Sequence, residues 1–354
     1  MSSSGKKYGR KTYVQVLDKG LKYVEQRMKG EIKSLKTPWH GLNNAGIAGL
    51  EWGSMLTIGA RPGAGKTMMV SQILRESHRL NREQQFNILE FQLEMGDEQY
   101  AARQFAAEAA LDYNRVLSAE KSLDQFSYEQ MKKYREDCTE LRRHGIFRDM
   151  ITQPLTHHEI RDAVLETYAE YGSKPMVVTI DHSWLIKKGS GEKDKFDTLY
   201  NTTEMLMHLK KEVPVIILMV SQLNRSIDEA ARKAPGTIAN YPTSSDIFGG
   251  DALMQGSDMV VVLNRPFKVD IRSYGPYGYD CKTDDIFMHL IKVRNGSDDN
   301  NLVFLKAEFI HQRMVEGPPP DATRPEGTYQ RYSDRQSRRN SANSVPSADI
   351  GQEL

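Results

Sequence analysis

An α/β fold built on a mostly parallel sheet with an antiparallel edge is what the sequence predicts. Two observations predict it. Between about residues 37 and 310, short β-rich runs alternate with stretches of helical length, the signature of βαβ units around a buried sheet. The last two β-rich runs have no long helix between them and therefore read as an antiparallel edge.

The elements follow in order. Residues 1–11 are small and basic, an arm without regular pattern. From Thr12 to Leu35 apolar residues recur at three- and four-residue steps, predicting an amphipathic helix. Its apolar face packs either on its own domain or, as a linker helix, on a neighbouring subunit; periodicity shows the face and not its partner. The β-rich runs are Met55–Gly59, Phe86–Phe91, Met176–Ile180, Val215–Val220, Met259–Leu263, Ile286–Val293 and Leu302–Phe309. Helical stretches between them are Met68–Leu80, Asp97–Ala110, Tyr128–His144, His157–Tyr171 and Phe196–Lys211. After Glu316 comes Gly317-Pro318-Pro319-Pro320, and the rest is rich in Ser, Asn, Arg, Gln and Pro, the composition of a disordered tail. The expected organisation is thus an N-terminal arm and linker helix (1–36), one α/β domain (37–315) and a tail (316–354).

Composition narrows the function classes. Of 354 residues, 39% are hydrophobic and 27% charged, as in soluble globular proteins. A net charge of +1 provides no global field to collect nucleic acid, so any such site must be a loop or a pore lining. Cys138 and Cys281 stand alone, arguing against a zinc module or disulfide framework and for a reducing cytoplasm. The longest apolar runs fall far short of the roughly 20 residues that span a bilayer, and the first residues lack a signal-peptide core, so no membrane role is expected.

The chemistry concentrates after the first β-rich run. Ala60-Arg61-Pro62-Gly63-Ala64-Gly65-Lys66-Thr67 links a strand to an apolar-striped helix, the context a phosphate-binding loop requires. Its backbone N–H groups and the helix N-terminus suit phosphate oxygens. Lys66 suits the β- and γ-phosphates of ATP, and the Thr67 hydroxyl suits Mg²⁺. Ala60 stands where the strict pattern has Gly, and is small enough for the turn.

Hydrolysis needs a further metal anchor and a group to polarise water. Met176–Asp181 is a buried strand ending in an acid, so Asp181 is the second Mg²⁺ candidate. In the run Asn87–Met95, Glu94 lies near the carboxyl end, where open α/β sheets bind ligands, and takes the water-polarising role over Glu90, which lies deeper. Val215–Gln222 ends at the same edge, and Gln222 either touches the γ-phosphate or is a simple turn residue. Lys187 and Lys188 open a basic loop after Asp181, either a pore loop on backbone phosphate or a solvated charge run. His157-His158 reads as a helix start and not a metal site.

With these residues in place, the chain resembles the DnaB-type replicative helicases, whose motor is a RecA-like P-loop ATPase domain, over about residues 37–310. Gly59–Thr67 is similar to the family's Walker A loop, in which Ala at the first position is usual. Phe91–Met95 resembles the motif carrying the catalytic base, implying Glu94. Ile180–Ile186 resembles the Walker B segment, and Ser221–Ser226 the third motif, which implies the phosphate contact for Gln222. Ser245–Asp258 resembles the inner loop that faces DNA, and Ile291–Gly296 the strand carrying a trans-acting Lys and Arg finger, here Lys292 and Arg294. A guanidinium supplied across an interface can neutralise charge on the γ-phosphate.

The resemblance implies a homo-hexameric ring that uses ATP and Mg²⁺, moves on single-stranded DNA, separates forked duplex, and works with a primase and a helicase loader in the cytoplasm, or in the host cytoplasm if phage-encoded. Two departures stand out. Only about 36 residues precede the core, where the family has a helical domain, which points to a phage or mobile-element version. Phe248-Gly249-Gly250-Asp251 replaces an Arg-containing stretch of the DNA loop. Gly249 and Gly250 can still offer N–H groups to phosphates. Phe248 either stacks on a base or plugs the core, and the plug is preferred. The rival readings are a RecA-fold recombinase or branch-migration ATPase, and a non-motor P-loop switch or loader ATPase.

Overall fold

The computed structural model describes residues 9–120, 123–296 and 302–323. The first eight residues of the expected arm and the expected tail from 324 onward lie outside the described residues. In chain order the elements are α1 (Tyr13–Met28), α2 (His40–Ala45), β1 (Ser54–Ala60), α3 (Lys66–Leu80), β2 (Asn87–Gln92), α4 (Asp97–Glu108), α5 (Tyr113–Leu117) and α6 (Gln125–Arg143). They continue with β3 (Arg148–Ile151), α7 (His157–Glu170), β4 (Met176–Asp181), α8 (Lys195–Glu212), β5 (Val215–Gln222), α9 (Gly250–Gly256) and β6 (Met259–Asn264). The last strands are β7 (Ser273–Tyr274), β8 (Tyr279–Asp280), β9 (Asp285–Val293), β10 (Leu302–Glu308) and β11 (Arg313–Glu316).

Nine strands form one sheet in the order β11-β10-β9-β6-β1-β5-β4-β2-β3. From β6 to β3 every pairing is parallel, and from β6 outward through β9, β10 and β11 every pairing is antiparallel. The expected mostly parallel sheet with an antiparallel edge is therefore found. The period of two along each strand sorts side chains onto two faces. On β1 and β5, Leu56, Ile58, Ile216, Leu218 and Val220 pack with Met69, Ile73 and Leu74 of α3, together with Leu35, Trp39 and Leu42. On the other face Ile217, Met219, Val178 and Ile180 pack with Ile160 and Val164 of α7 and Leu206 and Leu209 of α8.

The seven predicted strands and five predicted core helices are all present, with boundaries moved by a few residues at most. Helix α7 starts at His157, as read, under a Thr156–Glu159 capping box. The first helix is shorter than expected. It ends at Met28 because Gly30 turns the chain with φ +71°, and no residue of α1 is buried. Tyr13, Leu21 and Met28 are exposed, and the helix is tied down at its C-terminal end, where Arg27 meets Glu51 at 3.3 Å.

Candidate nucleotide site and nucleic-acid loops

The phosphate loop bridges the carboxyl end of β1 and the start of α3. Gly63 and Gly65 adopt φ of +73° and +98°, which side chains rarely tolerate. A Cβ on Gly65 would stand 2.3 Å from the Met314 methyl, which would have to swing aside; the positive φ is the stronger reason for glycine there. Gly65 is the N-cap of α3 and offers no side-chain cap, which leaves the first amides of the helix free for an anion. Lys66 is buried and its Nζ donates to the Ala60 carbonyl at 3.0 Å. Burial holds its ammonium below the usual lysine range.

The Thr67 hydroxyl donates to Asp181 Oδ2 at 3.0 Å, so the two metal candidates meet. Asp181 ends β4, is buried, and its Oδ1 has no partner among the described residues. Burial raises its pKa to about 6, against the pull of Thr67 and Gln92. A buried carboxylate with one orphaned oxygen beside a hydroxyl is a donor set that fits Mg²⁺. Glu94 is exposed two residues beyond β2, and its charge is felt by Asp181, Lys66 and His182. Glu90, its competitor, is buried and committed elsewhere: Arg148 Nε donates to it at 2.6 Å and the Tyr100 hydroxyl also reaches it. Gln222 ends β5 with its side chain exposed, in register with Ala60 at the start of the phosphate loop.

Lys292 and Arg294 lie at the other edge of the sheet. Val293 pairs with Met259 at the amino end of β6, and Arg294 N–H donates to the Asp258 carbonyl at 2.8 Å. Both side chains turn back onto the end of α9, where Lys292 donates to the Met254 carbonyl and Arg294 to Gln255 and Asp258.

The DNA-loop candidates gather near the carboxyl edge. Phe248 N–H donates to the Gln222 carbonyl at 2.9 Å, Asn224 N–H to the Asp246 carbonyl at 2.6 Å, and Leu223 bridges Ile247. Gly249, at φ +66°, is the N-cap of α9, and Gly250 begins that helix. Phe248 is half-buried and packs against the second core face. Lys187 and Lys188 are exposed at the start of a loop folded around the buried Glu192.

Sequence reasoning missed the cations after β6. Lys268 Nζ donates to the Pro62 carbonyl at 3.0 Å. Arg265 Nη1 lies 3.5 Å from the Gly63 carbonyl, and its guanidinium sits 3.8 Å from the centroid of the Phe309 ring. Arg61, Arg232, Lys233, Arg265 and Lys268 outnumber Asp228 around a cavity of about 400 Å³ beside the loop. No motif marks these positions. The available signal was topological: β6 lies next to β1, so residues leaving its carboxyl end must arrive beside the phosphate loop.

A parallel sheet with a phosphate loop after its central strand, an acid closing a neighbouring strand, and an antiparallel extension together define a RecA-like P-loop ATPase domain. Residues 34–311 match the DnaB-like helicase C terminal domain, and the chain belongs to that family. It is 25% identical over 261 residues to the replicative DNA helicase DnaB of Buchnera aphidicola from Acyrthosiphon pisum, a match covering 73% of this chain and 53% of that protein. It is 24% identical over 262 residues to the replicative DNA helicase DnaB of Helicobacter pylori, with 73% and 50% covered. The chain thus spans about half the length of these relatives. Among solved structures, one ATPase domain superposes with a TM-score of 0.69 at 16% identity, covering 85% of this chain and 99% of that one. A DnaB-like replicative helicase described with its interactions with primase superposes with a TM-score of 0.68 at 16% identity, covering 86% and 67%. Among the described residues, no helix is long and apolar enough to cross a membrane.

Proposed function

We propose that this chain is the ATP-hydrolysing subunit of a replicative DNA helicase that assembles as a homo-hexameric ring, moves on single-stranded DNA and separates forked duplex. The reading includes primase and helicase-loader partners, a cytoplasmic setting, a linker helix before residue 37 and a tail after 315. The observation that carries it is the split of the nucleotide chemistry between two edges of one sheet. Lys66, Thr67, Glu94, Asp181 and Gln222 belong to the carboxyl edge of the parallel strands, whereas Lys292 and Arg294 belong to the amino edge, by Asp258 and Met55. Met55 to Ala60 along β1 alone separates the edges by roughly 17 Å at about 3.3 Å per residue. Arg294 therefore cannot serve the nucleotide of its own chain, and a site with a finger requires a neighbour.

At such a shared site the backbone of Ala60–Thr67 would hold the phosphates of ATP, Lys66 would contact the β- and γ-phosphates, and Thr67 and Asp181 would hold Mg²⁺. A divalent ion held by those two residues would supply neutralisation of the phosphate charge. Glu94 orients the attacking water and accepts its proton, Gln222 senses the γ-phosphate, and the neighbour's copies of Lys292 and Arg294 stabilise the charge that develops there. Phe248, Gly249, Gly250, Lys187 and Lys188 face the DNA strand. The link from Gln222 to Phe248 through a backbone hydrogen bond supports coupling between phosphate loss and loop position.

The test is strand displacement on forked DNA, with the particle mass measured with and without ATP and single-stranded DNA. ATP-dependent unwinding by a ring of six is expected. A monomer that hydrolyses ATP without unwinding would favour a switch or loader ATPase, and filaments on DNA would favour a recombinase.

A further inference from the structure

Three aromatic residues distant in sequence meet beside the proposed DNA loop. The rings of Trp184 and Phe248 lie 4.7 Å apart between centroids at 86°, and those of Phe196 and Phe248 lie 4.9 Å apart at 32°. Phe248 is half-buried and anchored on the core, but Trp184 is 44% exposed and Phe196 is 57% exposed. Tyr200, also 57% exposed, stands one helical turn beyond Phe196 on α8, so the same face carries a further ring. Large aromatic surface left in water beside a functional loop calls for an occupant.

From this we propose that Trp184 and Phe196, propped by Phe248, form a platform on which bases of single-stranded DNA stack, a contact made to the bases and not to the phosphates. The proposal rests on the helicase reading and adds to it how the strand is held. Three observations select DNA bases as the occupant. Lys187 and Lys188, both exposed, follow Trp184 by three and four residues and offer cations to a backbone whose bases lie on the rings. Phe248 N–H donates to the Gln222 carbonyl at 2.9 Å, which ties the prop of the platform to the strand end beside the phosphate loop. The exposed Asp251, one residue into α9, repels phosphate at the loop but leaves an uncharged base face undisturbed.

The experiment compares two labelled oligomers of equal length, oligo-dT and an abasic deoxyribose-phosphate chain, binding to the full chain with a non-hydrolysable ATP analogue. Wild type is expected to bind oligo-dT more tightly, by about fivefold or more per stacked base. Trp184→Ala and Phe196→Ala should bring oligo-dT down to the abasic level with ATP binding unchanged, and Trp184→Tyr should restore most of the difference. Trp184 fluorescence should be quenched by oligo-dT and not by the abasic chain; Trp39 is fully buried and Trp52 partly so. Equal binding of both oligomers overturns the platform and leaves the helicase reading standing, whereas no binding of either overturns that reading itself. A change in Trp184 fluorescence on ATP-driven assembly without DNA, unaffected by oligo-dT, assigns the patch to the subunit interface and also overturns the platform.

Discussion

Arg294 Nη1 lies 3.0 Å from Asp258 Oδ1 within the same chain, while Lys210 occupies the other oxygen of that carboxylate. The Arg294 side chain is 46% exposed, and an ion pair this open contributes on the order of 0–1 kcal/mol. The proposed finger is therefore held loosely in its own chain, as a side chain that must exchange Asp258 for a neighbour's phosphate would need to be. Lys210 is buried and its hold on Asp258 is structural.

Replacing Arg294 with Ala should lower ATP hydrolysis about 10³-fold or more while leaving ATP binding largely intact. Mixing Arg294→Ala chains with Glu94→Ala chains should restore part of the rate, because some interfaces then pair an intact Glu94 with an intact finger. Phosphate release across a mixing series checks this; a flat series at zero would place the finger in cis or dismiss it.

Glu94 and Glu90 should separate cleanly by substitution. Glu94 is exposed, so Glu94→Gln should leave the melting temperature nearly unchanged and abolish hydrolysis. Glu90→Gln removes the buried charge that faces the half-buried Arg148, and leaving that guanidinium without its partner should cost about 1–3 kcal/mol. Denaturant unfolding beside ATPase assays of the folded fraction reads both effects. Loss of hydrolysis in a well-folded Glu90 variant would reverse the assignment.

Asp181 ties stability to pH. Its carboxyl has a pKa of about 6 in the folded chain, against an ordinary value of 3.8. A raised carboxyl pKa means stability that is full below about pH 3.8 and falls as pH rises through 6. Asp181→Asn cannot ionise, so the metal-free variant should be more stable than wild type at pH 8, by up to about 3 kcal/mol, with the gain vanishing toward pH 4. Thermal melts without Mg²⁺ at the two pH values check the sign. The same variant should lose Mg²⁺-dependent hydrolysis, the trade expected where an acid is buried for a ligand.

The parallel half of the sheet was legible because its strands are continuous apolar runs between helix-length segments, and the phosphate loop because glycine spacing and flanking elements coincide. The strand β3 was not, since Arg148-Asp149-Met150-Ile151 is half-buried throughout and shows no alternation. Helix α9 escaped because Gly250 and Gly256 bound seven residues too few for a periodic signal. Within the site, Lys66, Thr67 and Asp181 converge as their motifs imply. Arg265 and Lys268 were invisible, since their place beside the phosphate loop comes from the neighbour of the strand they follow. The pairing of Arg294 with Asp258 of its own chain was also not legible, since it depends on β9 running beside the start of β6.

The basic loop after β4 offers the last test. Glu192 is buried within it and accepts from Gly189 N–H at 2.7 Å, the Thr198 hydroxyl at 2.7 Å and Asn201 Nδ2 at 2.9 Å. These hydrogen bonds hold its carboxyl below the usual range despite burial. Its contribution to stability is thus present above the ordinary carboxylate pKa and lost as pH falls through the lowered one. Glu192→Ala should cost about 2–4 kcal/mol, since hydrogen bonds to a charged group contribute about 1.5–3 kcal/mol each and some are replaced by water. Because the same carboxylate shapes the turn that carries Lys187 and Lys188, the variant should also bind single-stranded DNA more weakly and with a shallower salt dependence. ATP binding should be unchanged, the phosphate loop lying on other strands. Denaturant unfolding and a salt titration of DNA binding measure the two effects; a variant that loses stability but keeps the wild-type salt slope would mean that the lysines act as a solvated charge run and not as a DNA contact.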